Sequence, residues 1–162
     1  MKILERCESP GLATLYLASF NGEDRLAEFV DTLEPGIAKS KKWVMMISTQ
    51  IGCPIGCRMC DAGSLGYQGN LTAEEILEQI RFIVARNPDL APGRHPKIKI
   101  HFARMGEPSL NPEVLRALKL LAWEFPHAGI LPSLSTVAPK SPAVRPFFDK
   151  LIEIKDACYS HG

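Results

Sequence analysis

No apolar run in this sequence approaches the ~20 residues needed to span a membrane. The N-terminus, Met1 to Pro10, is charged and lacks a signal-peptide core. Neither sign of charge prevails: 19 Lys and Arg stand against 18 Asp and Glu, a net +1. The basic excess typical of a duplex-binding protein is therefore missing, and only a local run such as Lys39, Lys41 and Lys42 offers a basic surface. Internal repeats and low-complexity tracts are absent. Cysteine is sparse, five in all. The odd number, with three of them between Cys53 and Cys60, argues against a secreted disulfide framework and for metal ligation in a reducing compartment. These absences predict a cytoplasmic protein without a membrane segment. What is present is 162 residues with 46% apolar content, enough for a single domain with its own core.

The pattern along the chain begins with a hairpin. Thr14 to Phe20 is β-rich, Asn21-Gly22 signals a turn, and Leu26 to Val30 suits the return strand. Glu34 to Lys42 is a polar connection, and Trp43 to Ile47 reads as a buried strand. Thr72 and Glu75 form a capping box ahead of an apolar stripe of Ile76, Leu77, Ile80, Ile83 and Val84, and Asn87-Pro88 ends that helix. Ile98, Ile100 and Phe102 alternate with Lys97, Lys99 and His101, as in a strand. Asn111 and Pro112 open a second helix whose buried face is Val114, Leu115, Leu118 and Leu121. Gly129 to Thr136 reads as a third strand, Pro142 to Ile152 as a third helix, and Ile154 to Tyr159 as the start of a fourth strand. A hairpin followed by β-α-β-α-β-α-β predicts an α/β fold with a parallel sheet, of doubly wound or barrel type. Residues 1–42 then form an N-terminal β extension and residues 43–162 the core. Function is expected on the loops that follow the strands, and these hold Cys53–Cys60, Met105–Pro108 and Ser135–Pro139.

Cys53-Pro54-Ile55-Gly56-Cys57-Arg58-Met59-Cys60 places three thiols on one loop, too close for a regular strand, so they must wrap around a common centre. A [4Fe–4S] cluster commonly takes four cysteines. Three would leave one iron open for chemistry. The alternative is structural zinc, which requires a second knuckle, and Cys7 and Cys158 are each isolated. Gly52 and Gly56 suit a backbone passing close to a cluster.

The Cx3Cx2C spacing, with an apolar residue before the last cysteine, resembles the signature of the radical-SAM superfamily. More narrowly, the segment STQIGCPIGCRMCDAGSLGYQGNLTAEEILEQ resembles the radical-SAM methyltransferases that act on an adenine carbon of ribosomal and transfer RNA. Met105-Gly106-Glu107-Pro108, Asn111 and Leu134-Ser135-Thr136 continue the likeness in order. The resemblance implies a partial (βα) barrel. It assigns a [4Fe–4S] cluster to Cys53, Cys57 and Cys60, and S-adenosylmethionine (SAM) to Gly106, Glu107 and Ser135. Glu28 falls at the place of a proton acceptor. An RNA substrate and an electron donor such as a flavodoxin or ferredoxin are the implied partners.

The sequence departs from that pattern at specific points. Met46 stands where the family has a resolving cysteine, and a thioether is no thiolate nucleophile. Arg104 replaces a glycine and Gly69 an arginine. The chain reads as about the first half of the barrel, without the family's methyl-carrying cysteine or its small N-terminal RNA-binding domain. Three functions compete: a truncated or divergent RNA adenine methyltransferase, a radical-SAM enzyme of the same branch with a different reaction, and a non-enzymatic metal-binding module.

Overall fold

The structure is a computed structural model that describes residues 1–90, 96–126 and 129–159. Its main sheet has six strands in the order β1-β2-β3-β4-β7-β8. The strands are β1 (Lys2–Ser9), β2 (Ala13–Ser19), β3 (Leu26–Leu33), β4 (Trp43–Ile47), β7 (Ile98–Phe102) and β8 (Ile130–Leu134). The pairs from β1 to β4 are antiparallel, and β4-β7 and β7-β8 are parallel. A separate two-stranded ribbon, β5 (Gln50–Gly52) and β6 (Tyr67–Asn70), brackets the cysteine loop together with one helical turn, α1 (Asp61–Ser64). The longer helices are α2 (Ala73–Arg86), α3 (Glu113–Glu124) and α4 (Val144–Cys158). The α/β class, the hairpin and the three parallel strands follow the sequence pattern.

Alternation decides which face of the sheet is covered. Trp43, Met45 and Ile47 on β4, with Ile98, Ile100 and Phe102 on β7, are buried in one core with Ile76, Leu77, Ile80 and Ile83 of α2 and Val114, Leu118 and Leu121 of α3. Full burial of side chains of this size contributes about 1.5–3 kcal/mol each. The hairpin joins the same layer through Tyr16 and Phe29, whose rings meet Phe82 of α2 edge-on at 5.1 and 5.8 Å. The opposite face carries Glu28, Met46 and His101, all half-buried. Val30 pairs with Met46, and Met46 with His101, in the strand register.

Three local results differ from the sequence reading. The N-terminal residues form a further strand, β1, antiparallel to β2. The ribbon β5-β6 has too few residues for a detectable alternation. The expected fourth strand at Ile154–Tyr159 is instead the end of α4, which runs on to Cys158. Phe147, Leu151 and Ile154 share one helical face toward the core, and the Tyr159 N–H closes the last turn on Lys155 O at 2.9 Å. Strand β8 is the outer strand of the parallel side and contains Pro132. Among the described residues no helix is long and apolar enough to cross a membrane.

The helix layer also holds the end of β4. Gln79 of α2 is fully buried, and its amide takes both peptide groups of Ser48: the Ser48 N–H donates to Gln79 Oε1 at 2.9 Å and Gln79 Nε2 donates to Ser48 O at 3.0 Å. Gln79→Ala should strand two buried backbone groups, each costing about 1–3 kcal/mol when unsatisfied. The expected result is a lower urea midpoint with an unchanged denaturant slope. A wild-type midpoint would show that Ser48 does not depend on this amide.

Candidate functional site

The segment after β4 turns out of the sheet while still buried, and other loops satisfy it. Thr49 N–H donates to Met105 O at 2.8 Å, and Thr49 O accepts from Leu71 N at 3.0 Å. Asn111, fully buried, adds its amide to Thr49 O at 2.6 Å and Leu71 O at 2.9 Å, while its Oδ1 accepts the Glu113 N–H at 3.0 Å to start α3. Gln50 Oε1 accepts the Glu107 N–H at 2.8 Å. The Ser135 N–H donates to Phe102 O at 3.2 Å, which fixes the start of the loop after β8. The cysteine loop, the Met105–Pro108 turn and Ser135 thus meet at one sheet edge, the C-terminal ends of β4, β7 and β8.

Glycines shape the loop where no side chain fits. Gly52 has φ +68, and a Cβ there would lie 1.6 Å from Gly66 O, the atom that accepts the Cys53 N–H at 3.2 Å. Gly106 has φ +97, and its Cβ would meet Thr49 Oγ1 at 2.7 Å and Gln50 Cβ at 2.6 Å. The Cys60 N–H donates to Cys57 O at 3.0 Å, which turns the chain into α1. Cys53 and Cys57 are half-buried and Cys60 is exposed. Burial pushes the Cys53 thiol up against the lowering effect of a hydrogen bond with the Ile55 backbone, and the charges of Cys60, Cys57 and Glu107 add to the rise. Among the described residues no group of three His, Cys, Asp or Glu side chains is placed to hold a metal ion. The donor chemistry nevertheless fits an iron–sulfur cluster: three soft thiols on one glycine-turned loop, with Cys7 and Cys158 exposed on other elements.

Glu107 is buried and turned inward. Its Oε1 accepts from Ser109 N at 3.0 Å, from Ser109 Oγ at 2.6 Å and from Thr136 Oγ1, and its Oε2 accepts from Val137 N at 3.0 Å. The carboxylate therefore ties the turn after β7 to the loop after β8. Ser135 sits beside it, with Oγ 2.8 Å from His101 Nε2. Burial, with help from the charge of Lys99, keeps His101 below its ordinary value. Glu28, on β3, lies across from the cysteine loop, and its Oε2 is held by Arg104 through Nε at 3.0 Å and through Nη2. The residues singled out from sequence do gather at this edge. Reading from sequence did not find Gln79, the His101–Ser135 contact or the Arg104–Glu28 pair. A lone amide on the apolar stripe of α2 was the available sign of Gln79.

Burial pushes the Glu107 carboxyl upward, but its hydrogen bonds to Ser109, Thr136 and Val137 outweigh burial and hold it below the ordinary range. Its folded value thus lies under an unfolded one of about 4.3. The stability it contributes is complete above that pH and is lost as pH falls through the folded value. Glu107→Gln should be less stable than wild type at neutral pH and should show a flatter acid limb, measured by urea unfolding from pH 7 down to about pH 3. Parallel acid limbs would show that Glu107 is not the titrating group.

Comparison with known proteins agrees with this geometry. The dual-specificity RNA methyltransferase RlmN of Helicobacter hepaticus is 40% identical over 87 residues, 53% of this chain and 23% of that protein. The ribosomal RNA large subunit methyltransferase Cfr of Clostridium botulinum is 35% identical over 109 residues, 60% of this chain and 30% of that protein. A probable RNA methyltransferase of Sorangium cellulosum is 36% identical over 140 residues, 83% of this chain and 33% of that protein. Among solved structures, a radical SAM methyltransferase from Sphaerobacter thermophilus aligns with a TM-score of 0.72 at 25% identity, covering 93% of this chain and 41% of that one. No family model matches the chain. The chain spans 23–33% of the length of these curated relatives. On this evidence the chain's homologues are RNA methyltransferases of the RlmN and Cfr type, matched over part of their length, and its structural neighbour is a radical SAM methyltransferase.

Proposed function

We propose that this chain binds a [4Fe–4S] cluster through Cys53, Cys57 and Cys60 and SAM at the neighbouring loops, as part of a methyltransferase-like radical enzyme acting on RNA. The observation that carries this reading is the convergence of the three-cysteine loop, the Met105–Pro108 turn and Ser135 on one sheet edge, tied through Thr49, Gln50 and Asn111. When bound, such a cluster supplies one electron to cleave the sulfonium S–C bond of SAM. A flavodoxin or ferredoxin is the proposed electron source. The six-stranded sheet is read as the first part of a (βα) barrel, with residues 1–42 as a β extension of the core at 43–162.

The protein's own groups have separate tasks. The Met105–Pro108 turn offers acceptors for the SAM ammonium, with Gly106 permitting close approach. Glu107 contributes chiefly through Oε2, which has one protein donor, Val137 N, and so retains acceptor capacity. Ser135 presents a hydroxyl for the carboxylate or ribose. Glu28, the proton acceptor in the family pattern, lines a cavity of about 400 Å³ together with Met59, Cys60 and Arg104. A second reading, a related radical-SAM enzyme with a different reaction, is favoured by two residues on the open sheet face. Met46 on β4 supplies a thioether where the family has a thiol, and Arg104 occupies the Glu28 carboxylate.

Anaerobic reconstitution should yield about four irons per chain. Cys57→Ala should lose them, whereas Cys7→Ala and Cys158→Ala should not. Reduced protein with methyl-labelled SAM and ribosomal RNA is expected to form 5′-deoxyadenosine without labelled methyladenosine, because Met46 cannot act as the resolving thiolate. Full iron content in Cys57→Ala removes the cluster assignment. Labelled methyladenosine would show that transfer proceeds without a thiol at position 46.

A further inference from the structure

The outer side of the helix layer carries charge and aromatic surface that the sheet-edge site does not use. A cleft of about 590 Å³ runs between α3 and α4, on the covered side of the sheet and away from Glu28, Met46 and His101. Buried Leu115 and Ile154 form its floor, and Arg116 and Lys119 of α3 and Lys150 of α4 line it. Glu153 is the single carboxylate among its walls. Trp123 lies one turn beyond Lys119 and is 80% exposed. Pro112, Arg116, Lys119 and Trp123 recur at helical spacing and so form one row along α3, about 16 Å long. The row starts next to Asn111, whose amide holds Thr49 in the site, so the cleft is continuous with the functional edge.

The carboxylates on the neighbouring helix surface are already engaged. Arg81 holds Glu74 and Glu124, and Arg25 holds Glu75. Glu113 accepts the Ala73 N–H at 3.0 Å and has Arg116 at 3.6 Å. Among the described residues Lys119 and Lys150 have no counter-ion, and the Trp123 indole makes no hydrogen bond or ring contact. A nearly neutral chain thus gathers unpaired positive charge along one groove, with an indole left in solvent at its end. Carboxylates of an acidic peptide would be met by the lysines alone and would leave Trp123 unexplained. Ammonium groups along a groove with an unpacked aromatic ring beside them are instead the elements that hold single-stranded nucleic acid, the cations on phosphates and the ring on a base face.

We propose that the α3–α4 cleft and Trp123 form an outer tract for single-stranded RNA, separate from the sheet-edge site. Lys119, Lys150 and Arg116 contact phosphates, and one base stacks on the Trp123 indole. The tract holds nucleotides that flank the one presented at the sheet edge, on the far side of the sheet from the cysteine loop. It reads no sequence, since phosphates and a stacking face are common to all nucleotides. This rests on the RNA-directed reading above and adds a second place at which the strand is held.

The test is titration of the full chain with a fluorescein-labelled single-stranded oligoadenylate of about ten nucleotides, within the usual site sizes for such strands. Anisotropy reads affinity and intrinsic fluorescence reads stacking. Of the two tryptophans, Trp43 is buried and bonded to Asp31, so quenching reports on Trp123. Quenching should saturate together with anisotropy. Trp123→Ala should weaken binding about tenfold, and Trp123→Tyr should keep most of it. Lys119→Ala with Lys150→Ala should lower the slope of log affinity against log salt by about 1.4, the value for two phosphate contacts to a single strand. All of these side chains are exposed, so circular dichroism and 5′-deoxyadenosine formation should stay as in wild type. RNA binding without quenching, or with wild-type affinity and salt slope in the variants, places the strand elsewhere and sinks the tract alone. Polyglutamate that competes as well as the RNA marks a surface for acidic proteins and also overturns the proposal. A preparation that cleaves SAM but binds no RNA sinks the tract together with the RNA-directed reading and leaves the cluster standing.

Discussion

At the end of β4 the backbone leaves the sheet before it leaves the core, and buried peptide groups must all find partners. Gln79 takes both groups of Ser48, and Met105 O, Leu71 N and Asn111 complete Thr49. Each partner belongs to a different element: α2, the turn after β7, β6's C-terminal flank and the start of α3. One short buried segment therefore sets the relative positions of the cysteine loop and the Met105–Pro108 turn. Because no regular ladder holds Ser48 and Thr49, the elements that converge there are constrained jointly rather than in pairs. Glu107 extends the same network to β8's following loop through Thr136 and Val137.

The covered and open faces of the sheet have diverged in role. On the covered face, Met45, Ile47, Ile98, Ile100 and Phe102 serve as packing, and Trp43 adds an Nε1–H hydrogen bond to Asp31 Oδ1 at 2.7 Å. On the open face β3, β4 and β7 offer Glu28, Met46 and His101, and the loop after β7 adds Arg104. Two of them, Met46 and Arg104, are where the sequence departs from the family it resembles, and neither belongs to the buried core. An altered substrate or reaction is thus compatible with an unaltered fold and an unaltered cysteine loop.

The features legible in sequence are those encoded by neighbours a few residues apart. The capping box at Thr72 and Glu75, present with both of its hydrogen bonds, is one case. The apolar stripes of α2 and α3, the alternation of β7 and the cysteine spacing are others. Two failures were of length: β5 has three residues and cannot show a period, and the α4 stripe at Phe147, Leu151 and Ile154 was cut short by the β-like look of Ile154. The remaining failures were of distance. Arg104 and Glu28 are brought together only by the β3-β4-β7 pairing, and His101 meets Ser135 only because β7 and β8 lie in parallel register. The inward turn of Glu107 was hidden for the same reason, since half of its partners come from the loop after β8.

Pro132 gives the outer strand a further property. In a parallel ladder, alternate residues turn their peptide groups to the same neighbour. Gly129 O and the Ser135 N–H both face β7, so the odd-numbered residues of β8 point inward to the sheet and Ile130, Pro132 and Leu134 point outward. The middle of these three outward positions has no N–H to offer. A strand laid along β8, from another copy or another segment, finds its central hydrogen bond missing and must bulge or trap a water there. Among the described residues the outer side of β8 is thereby one donor short at its centre, which makes it a poorer template for strand pairing without any charge being needed.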